Sequence, residues 1–94
     1  MKDTSSVERM ARALNFLHEI ENSTPVSEFI RLDLTGNDEA DLVLAKVSMM
    51  MLEFLKHNGF MKSDDLSRSD AKIYGLTPDG IKMHRTFFQL MRQA

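Results

Sequence analysis

From Asn37 to Asn58 the sequence reads as one long helix that is apolar around most of its circumference. Ala40, Val43, Leu44, Val47, Met51, Phe54 and Leu55 share one helical face, and Leu42, Ala45, Met49 and Leu52 extend well beyond it. Glu39, Lys46, Glu53 and Lys56 leave only a narrow polar stripe. A helix dressed this way is buried by its own domain or covered by a second chain. Asn37 or Thr35 can cap its start, and carboxylates at Asp38, Glu39 and Asp41 suit the positive end of the helix dipole. Lys56 and His57 stand at the negative end, and Asn58-Gly59 is a helix stop with Gly59 in the left-handed conformation.

With 94 residues there is room for one domain around this helix, spanning 1–94 with residues 1–4 expected to be disordered. A first helix opens at Ser5-Ser6-Val7-Glu8, where Ser5 and Glu8 fit a capping box, and continues through Met10, Leu14 and Leu17 towards Asn22. Thr24-Pro25 reads as an N-cap followed by proline at the first position of a short second helix. After Gly59 the period changes. Phe60-Met61-Lys62 and Ala71 to Leu76 read as two strands, joined by a polar and mobile loop from Ser63 to Asp70. Thr77-Pro78-Asp79 repeats the cap-plus-proline start and opens a last helix with a wide apolar arc. The expected fold is mainly α with a small β-hairpin.

Several chemistries are excluded by composition. Without cysteine there is no disulfide scaffold, thiolate metal site or cysteine nucleophile. His18, His57 and His84 have no second ligand three or four residues away, so no metal site is expected. No phosphate loop, serine elbow or other catalytic spacing occurs, and no cofactor or enzymatic role is expected. The first 22 residues lack the apolar core of a secretory signal, and Leu42 to Leu55 is too short and too charged to span a membrane. A cytoplasmic protein is the default.

The junctions Leu55-Lys56-His57-Asn58-Gly59-Phe60 and Tyr74-Gly75-Leu76-Thr77-Pro78-Asp79-Gly80 resemble the two landmarks of winged helix-turn-helix domains. In that family the first closes the recognition helix and the second leads from the wing into a trailing helix. The likeness covers roughly residues 8–92 and is to the broad group holding the MarR-type and PadR-type regulators. More distantly, the chain is similar to small prophage-encoded winged-helix proteins of the YjcQ kind. The resemblance implies three helices, a two-stranded wing and a C-terminal helix. It implies a dimeric DNA-binding protein and transcriptional regulator, with the third helix in the major groove and the wing on the backbone. Carried over, the DNA-binding residues are Asn37 and Lys46 on the helix and Lys62, Ser67, Arg68, Ser69 and Lys72 on the wing. Asp38, Glu39, Asp41, Leu42 and Ser63 occupy further groove or wing positions.

Charge opposes that expectation. Twelve basic and fourteen acidic residues give a net charge of −2, and the positive end is the last helix, with Lys82, Arg85 and Arg92 against Asp79. DNA affinity comes mostly from Lys and Arg. The third helix instead leads with three carboxylates, Asp38, Glu39 and Asp41, and the wing pairs its cations with Asp64, Asp65 and Asp70. The alternative function is a protein-interaction module that does not bind DNA, using its acidic third-helix start or its Met-rich apolar surface. Either function is compatible with a homodimer formed through the first, third or last helix.

Overall fold

The computed structural model describes residues 6–93. Helix α1 is Ser6–His18, strand β1 Thr24–Pro25, helix α2 Val26–Arg31 and helix α3 Asp38–His57. Strands β2, Met61–Ser63, and β3, Lys72–Leu76, form the hairpin, and α4 runs over Pro78–Gln93. The fold is mainly helical with a small antiparallel sheet. The expected capping residue Ser5 and the segment 1–4 lie outside the described residues.

The sheet has three strands rather than two, in the order β1-β3-β2. Thr24-Pro25 is the reason. It pairs with β3, Thr24 against Ile73 and Pro25 against Lys72, and the Val26 amide continues the ladder to the Ala71 carbonyl at 3.1 Å. Proline suits this place because an edge position does not require its missing N–H. Pro25, not Thr24, is the N-cap of α2, and no side chain caps it. Helix α1 stops at His18, short of the expected Asn22.

The other helix ends follow their local chemistry. The Asn37 side chain accepts the Ala40 amide at 3.0 Å, and Gly59 has φ +77° after the Asn58 C-cap. Thr77 Oγ1 accepts the Gly80 amide at 3.1 Å at the start of α4 and donates to the Gly59 carbonyl at 2.5 Å. The Thr77 amide donates to the Phe60 carbonyl at 3.1 Å, so one threonine ties α4 to the end of α3.

Ala13, Leu14, Leu17, Phe29, Leu52, Leu55, Met61 and Ile73 form the core. Five of these, Leu14, Leu17, Leu52, Leu55 and Ile73, are fully buried, each contributing about 1.5–3 kcal/mol of transfer free energy. They come from α1, α3 and β3, so α3 is anchored through Leu52 and Leu55 together with the small, buried Ser48. That register differs from the expected one. Val43, Val47 and Phe54, placed by the sequence on the main apolar face, are exposed, as are Leu42 and Met50. With apolar residues nearly all round, the helical period does not select a buried stripe. Packing of α3 against α2 and β2 selects it.

Candidate interaction surface

Helix α3 turns its Ser48, Leu52 and Leu55 side inward, so the opposite side faces solvent. At 100° per residue the middle of that outer side falls near Glu39, Lys46, Met50 and His57, and Val43, Val47, Met50 and Phe54, at steps of four, three and four, form an apolar stripe set to one side of it. The stripe's exposures are 59%, 37%, 67% and 47%, while Leu42, 61% exposed, lies apart on one flank, beyond the row of charged side chains. The four stripe residues present on the order of 400 Å² of exposed surface, the size at which patches on monomers are often functional. The Phe54 ring leans on Phe60, with centroids 6.3 Å apart. The same flank carries Glu39, Lys46, Glu53 and His57 in that order, all exposed.

The first turn of α3 serves the loop before it. One Asp41 carboxylate oxygen accepts the Thr35 amide at 2.6 Å and the Thr35 hydroxyl at 2.9 Å, while the other accepts the Gly36 amide at 3.0 Å. The Thr35 amide above all holds the Asp41 carboxyl below the ordinary carboxylate range. Asp41 and Asn37 therefore close the α2–α3 turn with the atoms expected to face a ligand. Asp38 and Glu39 remain exposed.

The loop between β2 and β3 is stitched by hydrogen bonds among its own polar groups and to neighbouring residues. Asp65 Oδ1 accepts the Ser67 amide and hydroxyl at 3.0 and 2.8 Å. Arg68 is bound in two-pronged fashion by Asp70, Nε and Nη2 each at 3.1 Å. Asp64 accepts the Tyr74 hydroxyl at 2.8 Å and the Lys72 amide at 3.1 Å. Lys56 reaches from α3 to the Ser63 and Asp64 carbonyls at 2.8 and 2.7 Å. These contacts lower the pKa of all three carboxyls: the Tyr74 hydroxyl acts mainly on Asp64, the Ser67 amide on Asp65 and Arg68 on Asp70. The loop thus holds three carboxylates against the cations Lys56, Arg68 and Lys72.

Of the residues expected to contact DNA, Lys46 is exposed midway along α3 and Asn37 is its cap. Lys62 and Lys72 are exposed on β2 and at the start of β3, and Ser67, Arg68 and Ser69 are exposed in the loop. Ser67 shares a shallow cleft with Glu53, Lys56 and His57 of α3. Lys46 lies outside this cleft, roughly 16 Å along the helix from His57.

A second feature escaped the sequence. His18 and His84 stack with ring centroids 4.5 Å apart and planes 7° apart, joining α1 to α4. His84 Nε2 also lies 3.4 Å from Asn15 Oδ1. Burial, then the neighbouring His18 and Arg85, push the His84 pKa below its ordinary value, with Glu19 opposing. The two residues are far apart in the chain, so no spacing could have paired them.

An open groove of about 720 Å³ runs between α1, the end of α2 and α4, lined by Phe16, Phe29, Leu32, Met51, Phe88 and Met91. Its rim holds Arg9 and Arg12, both engaged with Asp33, at 3.7 and 3.1 Å. No group of three or more metal-ligating side chains occurs among the described residues. No helix among them is long and apolar enough to cross a membrane. Comparison with protein-family models, with curated proteins and with solved structures finds no match for this chain.

Proposed function

We propose that the chain is a winged-helix-type domain that acts as a protein-interaction module, docking a second polypeptide on the outer side of α3. The observation that carries this reading is the composition of that side. It carries the exposed apolar stripe Val43, Val47, Met50 and Phe54, and its one lysine, Lys46, lies between Glu39 and Glu53. A helix that enters a DNA groove needs donors and cations there. A helix that meets protein needs exposed, adaptable apolar side chains with charges at the rim. The loop supports the same reading, because Arg68 is already held by Asp70.

DNA binding is the second reading, favoured by the succession α1-β1-α2-α3-β2-β3 and by the exposed Lys62 and Lys72. It supports a transcription-regulating role only if α3 contributes little charge and the hairpin most of it.

A photo-crosslinking residue at position 50, introduced into the full chain in the expressing cells, separates the two. Mass spectrometry identifies what is captured, with the same residue at exposed Glu28 as control. The docking reading expects a discrete, identified protein adduct specific to position 50. A nucleic-acid adduct, or no adduct, refutes it. In parallel, association with random-sequence duplex DNA in dilute buffer, falling steeply as salt rises, is the result the second reading requires.

A further inference from the structure

The charges beside the apolar stripe of α3 follow an order that specifies an occupant. Along one flank stand Glu39, Lys46, Glu53 and His57. Lys46 and Glu53 are two turns apart, about 10.5 Å along the axis and nearly in line. Read from the other end, the order of acidic and basic side chains is its own complement. A copy of the helix laid antiparallel therefore sets unlike groups opposite each other, whereas a parallel copy sets like groups level.

We infer that the occupant of this face is a second copy of the chain, with the two α3 helices packed antiparallel about a two-fold axis near residues 49 and 50. The inference rests on the reading of α3 as a protein-docking surface. About that axis, Lys46 of each copy lies level with Glu53 of the other, forming two reciprocal pairs. Val43 comes within roughly 3 Å of level with Phe54 across the interface, and Val47 with Met50. Glu39 and His57 meet within one turn. One patch thus completes itself, as an isologous contact requires. The apolar area, on the order of 400 Å² a side, is below the ~800 Å² of a standard interface, so the dimer is weak and its rim charges matter.

Sedimentation velocity on the full chain, from micromolar to near-millimolar concentration, tests this. The wild type shows a concentration-dependent monomer–dimer equilibrium. Lys46→Glu and Glu53→Lys each weaken it about tenfold, since each turns both reciprocal pairs into repulsions. The double variant K46E/E53K restores it to within about twofold. All three keep the wild-type circular dichroism, because both side chains are exposed. Met50→Cys, in a chain without other cysteine, oxidises to a covalent dimer under copper–phenanthroline, whereas Glu28→Cys does not. A monomer throughout, a double variant as weak as the singles, or no oxidation at position 50 overturns the inference. If a monomer still gives an identified protein adduct from position 50, self-docking fails and the docking reading stands. A nucleic-acid adduct there sinks both.

Discussion

Gly80 lies in the first turn of α4, where helix propensity favours alanine by about 1 kcal/mol. The structure reverses that sign. A Cβ at this position would sit 2.0 Å from the Phe60 carbonyl oxygen, 3.0 Å from its carbon and 3.1 Å from the Leu76 Cβ. Two of these neighbours are backbone atoms at the start of the hairpin, so no side-chain rotation relieves the overlap. Forcing atoms into a filled site costs about 1–3 kcal/mol, and a backbone neighbour places this case at the upper end. Separating α4 from β2 also strains the Thr77 amide bond to the same Phe60 carbonyl, worth about 1 kcal/mol. Net of propensity, Gly80→Ala is expected to cost about 3 kcal/mol. For a domain of this size that lowers Tm by roughly 10–25 °C. The control is Gly36→Ala, where φ is +91° but nothing lies within 4 Å, so only about 1 kcal/mol of backbone strain is added. Thermal unfolding followed by circular dichroism measures both. Gly80→Ala as stable as wild type, or less damaging than Gly36→Ala, would refute the reasoning.

Leu52→Ala is expected to cost about 2–5 kcal/mol and Val47→Ala under about 1, a contrast in denaturant midpoints that tests which side of α3 is buried. Because the His84 pKa is lowered by folding, the unfolded chain takes up its proton first. Stability should then be full above pH 6.5 and fall as pH drops below that value, and His84→Phe should flatten this slope in pH-dependent melts. The lowered pKa values of Asp41, Asp64, Asp65 and Asp70 act in a separate window, where stability is lost as pH falls below about 4. Asp41→Asn should speed hydrogen exchange at the Thr35 and Gly36 amides while leaving the core amides near Leu55 unchanged. Lys56→Met should cost about 2 kcal/mol in chemical denaturation, by releasing two loop carbonyls from their shared donor.

Features set by a few adjacent residues were legible in the sequence. Asn58-Gly59 ends α3 and Thr77-Pro78 starts α4 because capping is chemistry among near neighbours. Thr24-Pro25 carried the same signal and means something else, since its partner Ile73 lies in a distant strand and a two-residue strand has no period to read. The buried side of α3 was illegible for a different reason. Apolar residues on nearly every side make the helix's own pattern degenerate, and only the surfaces meeting Leu52 and Leu55 resolve it. The basic residues named as candidate DNA contacts are exposed, but the grip of Asp70 on Arg68 depends on the loop's path. The stacked histidines depend on how α1 meets α4.

Lys56 spans a joint. Its ammonium grips the carbonyls of Ser63 and Asp64, while its own backbone belongs to the last turn of α3. Pivoting of the hairpin against the helix must break that grip. One side chain thus fixes the angle between the last turn of α3 and the base of the β2–β3 loop.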